Sequence, residues 1–473
     1  MIRTITQKEF STALRDNRFV ILGSIILLLL LTAALTGIKS YQMLSTERSI
    51  AQQTATENFH NQPDRHPHRV AHYGSYAFRP KSALSFLDFG LDSFTGTMVY
   101  LEAHQQNSAN FSQVQQSGSL LRFGEMTIAF VMQWLIPLLI IFLCFNAFTL
   151  EKEEGTLKVL LSNGVSLQQI AKAKILGYSK VILLIIVPSF LLATVFLLSL
   201  NEFSFTADLM VRIAIFILSY LAYFFIFITG SVLISALHTH SRKALVTLLG
   251  IWIFMCVLLP KAAANLGSSL YETPSKAAMD AEVHQEAKEG MDGHNPLDKK
   301  TIAFKASLLK KYKVDAVGQL PVNIDGMVMA QAESISSKVY QAHFEKLVQT
   351  YLQQDQISVW SGFINPYLAV RSISMGMAGS DFYHYIHFLN AAETYRFQLA
   401  QYLNNLQAVK LAHKSKDTRL GHEIWENYPE FNYEAPNVSW ALGNMLISTI
   451  ALFSWTAIIY FLSIFLIKHI KPI

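Results

Sequence analysis

Apolar residues along this chain gather into six long runs, separated by segments in which polar and apolar positions mix. The runs are Phe19 to Ile38, Met126 to Leu150, Val181 to Leu200, Ile213 to Leu237, Ala244 to Pro260 and Trp440 to Ile467, and none contains Asp, Glu, Lys or Arg. A hydrocarbon layer about 30 Å thick takes about 20 helical residues, each adding about 1.5 Å. Only helices and closed barrels satisfy their backbone groups in lipid, so the runs predict six transmembrane helices, the fifth being the shortest. Ile357 to Met377 tests the count, because it is also apolar. It contains Arg371 and an Asn365-Pro366 pair, and an arginine inside a span costs about 2.5 to 3.5 kcal/mol on insertion scales. It is read as a packed extracytoplasmic segment rather than a seventh span.

Basic residues orient the runs. Arg3, Lys8, Arg15 and Arg18 precede the first, and Lys152, Lys158, Lys172, Lys174 and Lys180 follow the second, which places these ends in the cytoplasm. Arg242 with Lys243, and Lys468 with Lys471, fall on the same side under an even count. Both termini are therefore expected in the cytoplasm, with large outer regions at Lys39 to Gly124 and Lys261 to Ser439. The apolar run near the N-terminus is longer than the core of a secretory signal, which spans about 7 to 15 residues, so it is read as an anchor that is not cleaved.

The chain of 473 residues is 52% hydrophobic and 15% charged, too apolar for an ordinary soluble domain. Its net charge of +5 is spread along the sequence, which suits anionic lipid headgroups and leaves no stripe for nucleic acid. The two cysteines, Cys144 and Cys256, lie inside apolar runs, so no disulfide is expected in the outer regions.

On the inner side, Thr6 and Glu9 have capping-box spacing, and Phe10 and Leu14 share a face, which predicts an interfacial helix leading into the first span. The ordinary alternative is an amphipathic flank anchored by Arg15 and Arg18 at the headgroups. After the second span come Glu151, Lys152, Glu153, Glu154, Gly155 and Thr156, then Leu157 to Leu161 and Asn163-Gly164. Ser166 and Gln169 form another capping-box pattern, so a short helix-turn-helix is expected here. Alone, these residues also fit a solvated loop. In the second outer region, Pro274 after Thr273, a stop at Gly290, and Val328, Ile335, Val339, Leu347 and Tyr351 at near-helical intervals predict a helical bundle.

The amphipathic start with Glu9, Arg15, Asp16 and Arg18, the Glu151-to-Thr156 run and the following Leu160-Leu161-Ser162 resemble type-2 ABC exporter permeases. The stretches His66-Pro67-His68, Ala71-His72-Tyr73-Gly74, Tyr76-Ala77-Phe78-Arg79-Pro80 and Leu101-Glu102-Ala103-His104 resemble one subfamily with enlarged periplasmic domains, related to permeases of nitrous-oxide-reductase maturation and gliding motility. Asn365-Pro366, Ala369-Val370-Arg371-Ser372, Met375, Ala378-Gly379 and Ala391-Ala392-Glu393 with Tyr395-Arg396 extend that similarity. The resemblance implies an all-α polytopic fold of six transmembrane helices with a large, mainly helical extracytoplasmic domain, in a bacterial inner membrane. Its parts are 1–38, an interfacial helix and span; 39–124, a first outer region; 125–260, four spans with a coupling segment at 151–180; 261–439, a second outer region; and 440–473, the last span and tail.

It further implies that Glu151, Glu153, Glu154, Gly155 and Thr156 contact an ATPase, with Glu9, Phe10, Arg15 and Arg18 on the interfacial helix. The chain has no G-x-x-x-x-G-K-[ST] loop, so ATP and Mg are assigned to separate ATPase subunits and this chain to a non-catalytic permease. A second copy or a paralogue would complete the twelve spans usual in the family. The expected activity is export. The alternative is a subunit that passes motion to a periplasmic protein without transport.

His60, Asp64, His66, His68 and His72 crowd the first outer region. His66, His68 and His72 are the candidates for a metal, but the neighbouring prolines favour hydrogen-bonded loop histidines, and no metal is assigned. Asp381, His384 and His387 after Ser380 are read as the polar edge of a packing helix with Ser380 as its cap. A metal-dependent membrane enzyme is a third reading, resting on the outer histidines alone. No Gly-x-Ser-x-Gly elbow or zincin motif supports hydrolysis.

Overall fold

The computed structural model describes residues 1–110, 112, 126–200, 206–411 and 418–470; Lys471, used above for orientation, lies outside them. Helices dominate. A short amphipathic helix α1 (Ile2–Leu14) leads through the Asp16 cap into α2 (Asn17–His60). The other apolar helices are α4 (Ile128–Glu153), α6 (Leu167–Leu200), α7 (Ala207–Leu237), α8 (Ser241–Leu270) and α16 (Leu446–Lys468). With α2 they make, among the described residues, six helices long and apolar enough to cross a membrane. The protein is a multi-pass membrane protein. Their facing sides share one apolar cluster that includes Ile26, Val131, Ile140, Ile186, Tyr223 and Leu452, while residues such as Leu28, Leu191 and Phe461 point outward, as lipid-facing residues do.

Between the spans, α5 (Thr156–Ser162) follows α4 at one end of the bundle. At the other end lie α3 (Pro67–Tyr73), β1 (Ser75–Phe78), β2 (Met98–Glu102) and β3 (Gln105–Gln106). The strands form an antiparallel sheet in sequence order, a departure from the all-helical expectation. β2 alternates buried and part-exposed residues, burying Val99 and Leu101 against Phe388 and Ala392, so the sheet is held by a helix on one face.

Between α8 and α16 lie α9 (Lys276–Glu289), α10 (Lys299–Tyr312), α11 (Ile324–Trp360), α12 (Pro366–Ala378), α13 (Phe382–Lys410), α14 (Glu423–Glu426) and α15 (Val438–Asn444). Helix α9 begins after a Ser275 cap and not at Pro274, and ends at Gly290. The cap of α13 is Asp381, not Ser380: the Asp381 carboxylate accepts from His384 N at 2.9 Å, and Ser380 Oγ turns back to the Met375 carbonyl.

The stretch Ile357 to Met377 that tested the span count is broken between the end of α11 and α12, which begins at Pro366. The 13 residues of α12 make a rod of about 20 Å, short of a bilayer. Tyr367, Val370, Ile373 and Met377 nevertheless join the same apolar cluster as the spans. The last apolar run is likewise two helices, α15 and α16, joined at Met445.

Candidate coupling site

Lys174, on the first turns of α6, is 1% exposed, a position tolerable for an ammonium only if charges meet it. Its Nζ donates to Glu9 Oε1 at 3.1 Å and to Glu151 Oε1 at 2.9 Å, and it stands 5.7 Å from the Phe148 ring centroid. Exposed Lys8 adds contacts to Glu9 at 2.9 Å and Glu151 at 3.5 Å. One buried cation thus joins α1, the end of α4 and the start of α6. Burial works against the Glu9 carboxylate, but attraction by Lys174 and the bonds with Lys8 outweigh it and hold Glu9 below the usual carboxylate range.

This geometry revises the sequence reading of α1. The helix starts at Ile2, so Thr6 and Glu9 are interior residues and not a capping box. Thr6 Oγ1 donates to the Ala173 carbonyl at 3.2 Å, and Phe10 packs on the apolar cluster. Arg15 closes the helix as its C-terminal cap. Arg18 pairs with Asp16, donates to the Phe142 carbonyl at 3.2 Å and lies over Phe145.

The acidic run divides its work. Glu151 faces inward to Lys174. Lys152 Nζ donates to the carbonyls of Ala236 and His238, closing the C-terminal end of α7. Glu153 accepts from Ser241 N and Oγ, each at 2.8 Å, and so caps α8. Glu154, Gly155 and Thr156 are exposed; Gly155 has φ +75, a left-handed turn that glycine adopts without strain. In α5, Leu157 is buried while Lys158 and Val159 face out, Val159 being 60% exposed. The Ser166–Gln169 capping box forms in both directions, at 3.0 and 3.2 Å. The result is a projecting helical turn rooted on a buried ion cluster. Lys174 was missed as a site residue in sequence because it lies 165 residues from Glu9, beyond any local spacing rule, and Lys8, next to Glu9, was read only as an orienting charge.

At the opposite end of the bundle is a cavity of about 320 Å³, lined in part by Asp88, Gln133, Trp134, Cys256, Lys261 and Arg371. Two widened helical turns, Val131–Leu135 and Phe254–Leu258, border it, a distortion often found at functional positions. A polar chain runs behind it: Gln133 Nε2 donates to Tyr220 Oη at 2.9 Å, Tyr220 Oη meets Ser374 Oγ at 2.9 Å, and Ser374 Oγ donates to Asp88. Burial raises the Asp88 carboxyl above its usual range.

The candidate histidines separate. His66 caps α3, its Nδ1 accepting from His68 N at 3.2 Å, and stands apart from His68 and His72, which share a face with His104 and His294. Burial, then repulsion by the other three rings, pushes His68 down to about 3. His384 pairs with Asp381 at 2.6 Å and His387 with Tyr433 at 3.0 Å.

A family model described as a domain of unknown function, DUF3526, matches residues 276–434. The match starts with α9 and ends before α15, covering α9 to α14 and none of the six apolar helices. A search of characterised proteins gives no match.

Proposed function

We propose that the chain is the membrane-embedded permease subunit of an ATP-driven exporter of the type-2 ABC class, with ATP and Mg handled by separate ATPase subunits in the cytoplasm. The observation that carries this reading is the projecting turn at Glu154 to Val159, exposed at its tip and tied at its base to α1, α4 and α6 through Lys174. A push on such an element is not absorbed locally, because displacement passes through packed and ion-paired contacts into the spans. In this reading the six spans pair with a second copy or a paralogue in a bacterial inner membrane, and the polar cavity at the far end lies on the outward path. The supporting resemblance runs through most of the chain.

A second reading has its own observation. Helix α2 runs 44 residues without a break, so the first span continues as a stiff rod into the outer region, where α11 adds a second long helix of 37 residues. Motion could be delivered to a periplasmic protein without cargo crossing. Reconstitution in vesicles with the partner ATPase separates the two: ATP-dependent flux supports export, and ATP turnover without flux supports transmission. Failure of any ATPase to bind would remove both.

A further inference from the structure

Four histidines from three separate elements converge on one point of the outer region. His68 and His72 stand one turn apart on α3, His104 occupies the turn between β2 and β3, and His294 lies between α9 and α10. One ring nitrogen of each lies within 4.8 Å of the other three. The Nε2 atoms of His68 and His72 are 3.1 Å apart, and those of His104 and His294 are 3.3 Å apart. A tetrahedral zinc ion with imidazoles at about 2.0 to 2.1 Å needs nitrogen separations of about 3.3 to 3.4 Å. Two edges of that tetrahedron already have nearly this length. Hydrogen bonding explains each pair, since a neutral imidazole has one donor and one acceptor, but not why the two pairs face each other.

The support around His104 is of the kind metal ligands need. Glu333, fully buried, accepts from His104 N at 2.8 Å and lies 3.0 Å from His104 Nδ1. Its other oxygen is held by Arg396 Nη1 at 2.6 Å. A carboxylate on Nδ1 fixes the tautomer and leaves the Nε2 lone pair facing the ion. His104 itself takes φ +69, a left-handed conformation uncommon for residues with a side chain and often found where function fixes the geometry. His68 and His72, four apart on a helix, share one face without strain.

We propose that His68, His72, His104 and His294 bind one divalent transition-metal ion, with zinc(II) the ion whose tetrahedral nitrogen site this geometry matches. Four protein nitrogens fill the shell and leave no open position, so the ion is structural and not catalytic. It staples α3 and the β2–β3 turn to the α9–α10 loop, joining residues 190 apart in sequence at His104 and His294. This proposal stands independently of the transport reading.

The test uses the full-length protein in detergent, without a histidine tag, stripped by chelator and titrated with Co²⁺ alone and then with Zn²⁺. One Co²⁺ per chain with the intense visible bands of tetrahedral cobalt, displaced by Zn²⁺, is expected. His72→Ala and His294→Ala should each abolish those bands, and Glu333→Gln should weaken affinity by about 10- to 100-fold. His66→Ala should keep the stoichiometry. Helical circular dichroism and a single gel-filtration peak confirm that each variant is folded, and His294→Cys should restore binding with a thiolate-to-cobalt charge-transfer band. Wild-type protein that takes up no Co²⁺, uptake unchanged in both alanine variants, or a folded His294→Cys protein lacking that band would each overturn the proposal.

Discussion

Gly177 lies directly beneath Glu9: a methyl group added at Gly177 would stand 2.8 Å from the Glu9 Cβ and 3.3 Å from the Thr6 carbonyl oxygen. The close approach of α1 to α6 depends on the missing side chain, and the Lys174–Glu9 bond depends on that approach. Gly177→Ala should therefore lift α1 from α6 at a cost of about 1 to 3 kcal/mol, the usual penalty of overpacking. Limited trypsin digestion in detergent checks this, with faster cleavage at Arg15 and Arg18 expected in the variant. An unchanged digestion rate would show that α1 docks through other contacts.

Lys174→Met removes the shared cation and leaves Glu9 and Glu151 buried together. Breaking a buried ion pair this way costs about 3 to 5 kcal/mol, and Lys8, 58% exposed, is too well solvated to replace it. The thermal midpoint of the detergent-solubilised protein should fall sharply. The triple variant Lys174→Met, Glu9→Gln, Glu151→Gln should recover part of the loss, because no unpaired charge remains.

The same cluster responds to acid. Since the folded protein holds Glu9 below its ordinary value of 4.5, its contribution is fully present above that value and is lost as pH falls through the lower folded value. Docking of α1, followed by a spin label at Arg15, should be constant at neutral pH and loosen in the acid range below about 4.5. Glu9→Gln should lose that pH response.

Within the transport reading, Glu154 is a cleaner probe than Glu153. Glu153 caps α8 through Ser241, so reversing its charge perturbs the bundle as well as any partner. Glu154→Lys touches only the exposed tip. It should reduce ATPase association and stimulated hydrolysis about tenfold or more, as charge reversal at an interface does, while leaving thermal stability within about 0.5 kcal/mol. Equal ATPase binding by wild type and Glu154→Lys would remove Glu154 from the contact.

Local chemistry was legible in the sequence and long-range pairing was not. The apolar runs from Phe19 and Val181 announce helices through length and composition, and Ser166 with Gln169 announces a helix start, because the physics involved acts within a few residues. Thr6 and Glu9 matched the same short spacing, yet their partners, Ala173 and Lys174, belong to a distant helix. The histidines of the first outer region follow the same rule: His66 and His68 are near neighbours in sequence, yet the His66 ring caps α3, while His68 and His72 meet His104 and His294, which tertiary folding alone brings near. The first span was read to end at Ile38, where polarity rises at Lys39, but helicity persists to His60 because straight-chain polar residues such as Glu47, Arg48 and Gln52, together with Ala55, continue a helix outside lipid.

That continuation gives α2 about 66 Å of length at 1.5 Å per residue, roughly twice the hydrocarbon thickness. Its far end is not loose: Phe59 is packed with Val70, Leu403 and Trp425, and Trp425 Nε1 donates to the Gln62 carbonyl at 3.1 Å. A tilt of about 5° about the Asn17 end would therefore swing Phe59 by about 6 Å, by the geometry of a straight rod of this length. Such a lever arm magnifies small angular changes near Arg18 into shifts the size of a side chain above the bilayer, where Phe59 would carry Val70 and Trp425 with it.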